Sequence, residues 1–437
     1  MPPAPPSVLG DLLPLWSVVP FSVMLLAIAL MPLVAPGLWE RNSFKAILSL
    51  LLGAPVAIWV GSIEPGAVLH AAREYLTFIL LLAALFVVAG GIVVRGTLAG
   101  TPGANTVLLA VGAVLASFIG TTGASILLVR PLLRANSVRV RNAHVFVFFI
   151  FVVANAGGLL TPMGDPPVLL GFLRGVPFTW TLRLWKEWLL VNGVLLILFY
   201  IVDATLFRRE DLERGVDLER VAVKHQVVPI HIAGKRNVLY LAGIVAVLIA
   251  SGGLDLPAVA QSAGILALLA LSWFSTPKAL HAENGFTWHP ILEVAAVFAG
   301  IFATMVPALA ILNARGTALG LVHPWQFFWA SGLLSSFLDN APTYLAFASA
   351  ASARVGTDAA NLGQLLAHPE GESLLAAITL GSVLMGANTY VGNAPNFMVK
   401  SIAERGGVRM PGFLGYLGYS AAILLPLFVV VTWVFLV

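Results

Sequence analysis

FIGTTGASILLV (residues 118–129) and FLDNAPTYLAFA (residues 337–348) are two similar segments that decide the fold of this chain. They lie 219 residues apart, and the same offset aligns Glu74 with Glu293, Phe118 with Phe337, and Thr121 with Asn340. Two further segments, TPMGDPPVLLGFLRGVPF (residues 161–178) and YVGNAPNFMVKSIAERGGV (residues 390–408), align at an offset of 228, with Gly164 on Gly392. The chain therefore contains two internal repeats, interrupted by glycine, proline and polar residues at matching places.

The composition is that of a membrane protein. Of the 437 residues, 59% are hydrophobic and only 10% are charged, and the mean hydropathy is +0.94. A soluble domain carries about 25% charged residues, so this chain could not cover its surface in water. That excludes a cytosolic enzyme, a nucleic-acid-binding protein and a disordered protein. Because cysteine is absent, thiolate metal sites and cysteine nucleophiles are excluded as well.

Apolar segments long enough to cross the hydrocarbon core occur along the whole chain. They lie near 17–34, 44–62, 76–95, 143–173, 187–206, 237–252, 257–274, 289–312, 374–404 and 412–436. Two other apolar stretches are interrupted midway, and each half is too short to cross alone, so a re-entrant hairpin fits both. We predict an all-α polytopic membrane protein with about 10–11 transmembrane helices plus two re-entrant hairpins, built as two inverted repeats with broken helices.

These elements predict the organisation of the chain. It comprises N-terminal spans (1–70), a first inverted repeat (71–206) with hairpin 104–134 and broken helix 143–173, a cytoplasmic loop (207–236), linking spans (237–288), and a second inverted repeat (289–437) with hairpin 323–353 and broken helix 374–404. The loop and the Arg-rich segment 130–142 are placed in the cytoplasm, which leaves most of the 24 Lys and Arg residues on that side. The helix that begins near Glu74 then runs inward and the one near Glu293 runs outward. Inverted repeats with interrupted helices are typical of secondary transporters, whose site lies at the membrane midplane.

The predicted hairpin tips, GTTGAS (120–125) and SSFLDNAPT (335–343), carry the first candidate ligands. Unwound backbone there frees carbonyl groups, and neutral side-chain oxygens come from Thr121, Thr122, Ser125, Asn340 and Thr343. A small hard cation prefers such a cage of oxygen atoms. Each of these residues is equally suited to cap a helix.

The broken helices carry the second set of candidates. Asp165 precedes two prolines, Asn393 stands at the equivalent place in the second repeat, and Asn155 and Asn388 lie in the preceding half-helices. An ionised carboxylate at membrane depth costs about 2.5–3.5 kcal/mol. We therefore interpret Asp165, and Asp339 in the second hairpin tip, as binding a cation or a proton. The alternatives are a helix N-cap for Asp165 and an ion pair with a basic group for Asp339.

Other ionisable residues are weaker candidates. Glu74 and Glu293 lie near the ends of equivalent spans and are candidate proton-path groups. Arg174 is expected to reach the lipid headgroups, and His144 is interpreted as structural. The histidines show no spacing for a transition metal, and the chain has no phosphate-binding G-x-x-x-x-G-K-[ST] motif, which argues against ATP-driven transport.

Three motifs together resemble a known family. GDPPVLLGFLRGVPF (164–178), SSFLDNAPTYLAF (335–347) and ANTYVGNAPNFMVKSIAE (387–404) resemble the NhaD-type sodium/proton antiporters of the ion transporter superfamily, which also includes citrate and divalent-anion symporters and arsenite permeases. The resemblance runs from about residue 70 to the end of the sequence. It implies a scaffold-plus-transport fold, a homodimer and a bacterial inner-membrane location. The anion symporters carry Ser-Asn-Thr at the tips, where this chain has GTTGAS and LDNAPT.

The leading hypothesis is a secondary transporter, not an enzyme, that exchanges sodium or lithium for protons. Desolvation favours the protonated form of a buried carboxylate and a bound cation favours its ionised form, so Asp165 and Asp339 can trade one for the other. The alternatives are a sodium-coupled di- or tricarboxylate symporter of the citrate type and an arsenite-type permease. We expect no cofactor besides the transported ions, no nucleic-acid partner, and contact with membrane lipids.

Overall fold

The structure is a computed structural model that describes residues 9–39, 41–96, 99–214, 231–253 and 257–437, and it is helical almost throughout. The helices before the polar segment are α1 (Leu9–Leu12), α2 (Val19–Val34), α3 (Pro36–Trp39), α4 (Asn42–Ile63), α5 (Pro65–Gly90), α6 (Pro102–Ile119), α7 (Thr121–Ala135), α8 (Ala143–Val152), α9 (Pro166–Leu173) and α10 (Trp185–Arg214). Those after it are α11 (Lys235–Gly253), α12 (Ala258–Ser275), α13 (Lys278–Glu283), α14 (His289–Arg315), α15 (Pro324–Ser335), α16 (Asn340–Val355), α17 (Pro369–Met385), α18 (Ala394–Arg405) and α19 (Phe413–Val431).

Within these described residues, seven helical segments are long and apolar enough to cross a membrane. They are Leu15–Pro32, Asn42–Ile63, Pro65–Gly90, Pro102–Ile119, Trp180–Glu213, His289–Leu319 and Phe413–Leu436, and shorter apolar helices lie at Ala143–Leu159 and Val259–Ser275. Proline at the first helical position, where its missing N–H is not needed, begins α5, α6, α9, α15 and α17. The protein is an all-α polytopic membrane protein, as the composition predicts.

The order of elements repeats along the chain. Helices α5 to α10 of the first half correspond to α14 to α19 of the second, and both series break between their fourth and fifth helices. The first helices of the two series, α5 and α14, pack on each other in opposite directions. The ring of Tyr75 contacts that of Phe302 (5.8 Å between centroids), whereas Phe86, further along α5, contacts Phe286 (5.2 Å), just before α14 begins. This antiparallel packing is what inverted repeats require.

Helices α6 and α7 form an antiparallel hairpin whose turn is Gly120. The side chains of Asn105, near the start of α6, and Asn136, just after α7, exchange two hydrogen bonds of 2.9 Å. Midway along the hairpin, Gly112 lies against Leu128. Gly120 has a φ of +80°, which favours glycine because it has no Cβ. Helices α15 and α16 form the equivalent pair around residues 336–339. The re-entrant placement of both hairpins stays a prediction.

The core lies around the first broken helix. Every residue of α8 from Val145 to Val152 is fully buried, as expected for a helix that is apolar on all sides. Helix α8 packs against α6, α10 and α18. The first break is therefore held at the centre of the molecule.

Several boundaries differ from the sequence predictions. Helix α6 has 18 residues and is long enough to cross a membrane, so the expectation that both halves of hairpin 104–134 are too short is wrong for this half. The predicted loop 207–236 begins too early, because α10 continues to Arg214 and its Glu210 accepts the backbone N–H of Val140 (2.8 Å). Residues 215–230 of that loop lie outside the described residues.

Two further differences concern the ends of α5. The predicted boundary between residues 70 and 71 falls inside this helix, because Pro65 starts it. The predicted span 76–95 ends in a short strand, β1 (Val93–Arg95), which pairs antiparallel with β2 (His231–Ala233). This two-stranded ribbon joins the end of α5 to the start of α11.

Candidate functional site

The two breaks have the same backbone geometry. Asp165 is the N-cap of α9, with φ −150° and ψ 150°, and Asn393 is the N-cap of α18, with φ −148° and ψ 138°. In the first break a Cβ on Gly164 would collide with the carbonyl oxygen of Gly158, and in the second a Cβ on Gly392 would approach that of Gly386. Glycine is needed there because two turns of backbone approach each other closely.

Both hairpin tips and the second break converge on the Asp165 carboxylate. The Thr121 hydroxyl donates to Oδ1 (2.9 Å), the Asn340 amide donates to Oδ2 (2.5 Å), and the Asn393 amide donates to Oδ1 (3.1 Å). All four side chains are buried; Asp165 is 2% exposed. Asp165 is thus bound by residues from both repeats, and we call these four residues the central cluster.

In each repeat, one hydrogen bond fixes the hairpin tip to the break of the same repeat, and the two bonds are equivalent. The Thr161 hydroxyl donates to the carbonyl oxygen of Ser117, and the Thr389 hydroxyl donates to that of Ser336. The donors differ by 228 and the acceptors by 219, which are the two offsets found in the sequence. The pseudo-symmetry of the repeats therefore extends to individual hydrogen bonds. These residues were not among the candidates, although the offsets would have identified them as pairs.

A second layer of amides supports the central cluster. Asn155 accepts from the Asn393 amide (3.2 Å) and donates to Oδ1 of Asn396 (2.7 Å). Asn396, which is not among the candidate ligands predicted from the sequence, donates in turn to the carbonyl oxygens of Gly386 (2.8 Å) and Thr389 (2.9 Å). This chain of bonds orients Asn393 toward Asp165. The 228 offset places Val168 at the position equivalent to Asn396, so symmetry gave no signal for it.

The remaining polar candidates lie in the hairpin tips and the second break. Thr343 donates to the carbonyl oxygen of Asp339 (2.9 Å), and Asn388 donates to the Ser336 hydroxyl (2.9 Å). Among the candidate residues, three buried oxygens have no protein partner in the described part of the chain: Ser125 Oγ, Asn340 Oδ1 and Asn388 Oδ1. Buried polar atoms are normally paired, so these oxygens are free to accept from, or coordinate, a ligand. Thr122 is half-buried beside Thr121.

Asp339 has a different environment from Asp165. Its carboxylate accepts the backbone N–H of Ala341 (3.1 Å) and caps α16. The sequence left an ion pair with a basic group as the alternative role for Asp339. In the part of the chain that the structure describes, its carboxylate accepts from this backbone N–H instead. Its role as an ion-binding carboxylate stays a prediction.

Glu74 and Glu293 are both held in ion pairs. Glu74 forms a bidentate pair with Arg174, with both N···O distances 2.8 Å, and Glu293 pairs with Lys45 (2.5 Å). Arg174 is 7% exposed. The prediction that it reaches the lipid headgroups is therefore wrong, because its guanidinium is buried against a carboxylate on α5. The proton-path role of the two glutamates stays a prediction.

A buried polar group that the sequence analysis missed lies at the base of the first hairpin. Asp203 of α10 is fully buried and binds Arg139 (2.6 Å), His144 (2.8 Å) and Asn105 (3.0 Å). These bonds connect α6, α8 and α10. His144 is thus part of this buried network, and its purely structural role stays a prediction.

The central cluster has the chemistry of a cation site. Across the described part of the chain, no Lys, Arg or His side chain bonds to Asp165, whose three partners are neutral donors. The described residues also hold no group of three or more His, Cys, Asp or Glu side chains that could bind a metal ion. A single carboxylate among neutral amides and hydroxyls suits a monovalent cation or a proton, not a transition metal.

Fold and site together define a polytopic membrane protein of two internal repeats, with a buried polar centre where the broken helices meet. Residues 10–436 match the model of the family described as “Putative citrate transport”, and the protein belongs to this family. No curated protein matches the chain.

Proposed function

We propose that this protein is a secondary transporter that exchanges sodium or lithium for protons at Asp165. The observation that carries the proposal is the environment of that carboxylate, which is buried, receives donors from both repeats, and has no basic partner among the residues that the structure describes. An ionised carboxylate at this depth needs a countercharge. A proton or a metal cation supplies it, and because each excludes the other, binding of one releases the other.

Sodium-coupled citrate transport is the second candidate, and the family description favours it. The half-helices α9 and α18 both begin at the central cluster, and helix N-termini favour negative charge. A citrate molecule would lie beside Asp165 without a basic side chain from the central cluster. The cation-binding role of Asp165 is common to both candidates.

Transport by purified protein in proteoliposomes distinguishes the two. The vesicles contain a pH-sensitive dye and receive NaCl, LiCl, KCl or sodium citrate on the outside. For the exchanger we expect proton movement with sodium and lithium, none with potassium, and no additional effect of citrate. Accumulation of radiolabelled citrate that requires sodium, without proton countertransport, would overturn the exchanger and establish the symporter.

A further inference from the structure

Arg174 connects three parts of the molecule at the end of α9 remote from Asp165. Its guanidinium binds both carboxylate oxygens of Glu74 on α5 (2.8 Å each). Its third nitrogen donates to the carbonyl oxygen of Ala359, in the connection between α16 and α17 (3.2 Å). Both charged side chains are 7% exposed. Helix α9, which begins at the central cluster, is therefore attached at its other end to both repeats.

This attachment exists in only one of the two repeats. Glu293 is the equivalent of Glu74, but its partner is Lys45 on α4, a helix that precedes the first repeat. The position equivalent to Arg174, at an offset of 228, is Ile402 on α18, which cannot form an ion pair. Helix α9 packs mainly against α16 and also against α17 and α5, and α18 packs mainly against α7 and α8, which are the equivalents of α16 and α17. The main packing of the two half-helices is therefore equivalent, and the ion pair with α5 is where they differ. The two repeats are thus similar at the central cluster and different at the outer ends of their broken helices.

Such a difference matters in a transporter built from inverted repeats. Alternating access moves one repeat or bundle against the other around a fixed site, so that opposite sides of the site open in turn. A contact that one repeat makes and the other lacks belongs to one of these states. Eight residues of α9, rising about 1.5 Å each, separate Asp165 from Arg174 by roughly 12 Å, so the Arg174 end lies toward one membrane surface.

We propose that the Glu74–Arg174 ion pair is a latch that keeps the central cluster closed on the side of the membrane where Arg174 lies. The latch rests on alternating access, which the proposed function also needs. A bidentate Arg–carboxylate pair is specific in geometry and stronger than a neutral hydrogen bond. Opening this side separates the pair and hydrates both charges. The latch therefore biases the transporter toward the state that opens to the opposite side.

The absence of cysteine from the sequence makes the test direct. Thr122→Cys, at the half-buried first hairpin tip, provides one thiol next to the central cluster, and its labelling by a membrane-impermeant maleimide reports which side is open. Arg183→Cys, in a separate preparation, identifies the Arg174 side, because Arg183 is 71% exposed and follows Arg174 closely in the chain. Labelling is measured in vesicles of both orientations.

The perturbation is the double variant Glu74→Leu/Arg174→Met in the Thr122→Cys background. It removes both charges, and replacing a buried pair by apolar residues of similar volume is often neutral for stability, whereas removing one partner is not. We expect Thr122→Cys to label roughly tenfold faster from the Arg174 side, in the middle of the usual range for conformational coupling. Labelling from the opposite side should become slower.

The double variant Lys45→Met/Glu293→Leu, in the same Thr122→Cys background, is the matched control, because it removes the equivalent pair in the part of the molecule where no latch is proposed. It should leave the ratio of labelling from the two sides unchanged. An unchanged ratio in the double variant, or faster labelling from both sides, would overturn the latch. Labelling requires no ion flux, so a failure of the latch is distinguishable from a failure of sodium/proton exchange.

Discussion

Replacing Asp165 by asparagine tests the central cluster most directly, because it removes the charge and keeps the shape. The new Oδ1 continues to accept from Thr121 and Asn393, but the new amide nitrogen faces the amide nitrogen of Asn340. Asn340 Oδ1 has no partner. A half-turn of the Asn340 amide therefore restores the third hydrogen bond with donor and acceptor exchanged, and the hairpin tip keeps its place.

The magnitudes predict a folded but inactive protein. Hydrogen bonds to a charged acceptor contribute about 1.5–3 kcal/mol each and neutral ones about 0.5–1.5, so three exchanged bonds lose roughly 3–4.5 kcal/mol. Removing a charge at membrane depth returns about 2.5–3.5 kcal/mol, and the two effects nearly cancel. Removing one partner of a buried charge pair costs about 3–5 kcal/mol, so the affinity for sodium should fall by at least roughly 100-fold.

Two measurements check this expectation. The thermal unfolding midpoint of purified Asp165→Asn should match that of the parent within a few degrees, and sodium-dependent proton flux in proteoliposomes should be absent. Asp165→Ala is the contrasting variant, since it leaves the Thr121 hydroxyl and the Asn340 amide without an acceptor at about 1–3 kcal/mol each and should lower the unfolding midpoint strongly. The Asn393 amide keeps its acceptors on Ala154 and Asn155. Sodium-driven proton flux at the parent rate in Asp165→Asn would refute the mechanism and leave Asp165 as a helix cap.

Three further substitutions separate ligands from structural residues. Asp339→Asn keeps the cap of α16, because asparagine caps a helix as well as aspartate does, and should abolish coupled exchange as expected for a second ion-binding carboxylate; flux at the parent rate in proteoliposomes would leave Asp339 as a helix cap only. Asn393→Ala removes a neutral donor to Asp165 and should raise the sodium concentration for half-maximal flux roughly tenfold. The number of protons exchanged per sodium ion should stay unchanged, and a change in that number would show that Asn393 also takes part in the coupling. Gly164→Ala drives a methyl group into the Gly158 carbonyl and should lower the unfolding midpoint strongly. Gly418→Ala is the control, because the space around Gly418 is open and the midpoint should not change. Equal midpoints for the two variants would show that the first break tolerates a side chain.

The central cluster could be anticipated because internal symmetry is visible in one sequence. Thr121 and Asn340 align at one offset and Asp165 and Asn393 at the other, and the structure brings all four side chains together. The two offsets were enough to identify these four residues because the breaks and hairpin tips of the two repeats have the same backbone geometry. The resulting arrangement does not depend on which ion is transported.

Other contacts could not be predicted, because they depend on tertiary neighbours. Arg174 near the end of an apolar segment is compatible with a lipid-facing position, and only the fold shows that Glu74, 100 residues earlier, lies beside it. The same holds for Asp203, whose partners Arg139 and Asn105 come from separate elements. The residues themselves carry no periodic or symmetric signal that would have paired them.

The single charge of the central cluster follows from the geometry of the breaks. Positions 165 and 393 are equivalent, and their side chains are 3.1 Å apart. Two aspartates at this distance could not both ionise, because each negative charge disfavours the other. Asparagine at position 393 avoids this repulsion and donates a hydrogen bond to Asp165 instead. The two equivalent positions in the breaks therefore contribute one carboxylate and one neutral donor, which is the pairing that lets both side chains lie in contact at the centre of the fold.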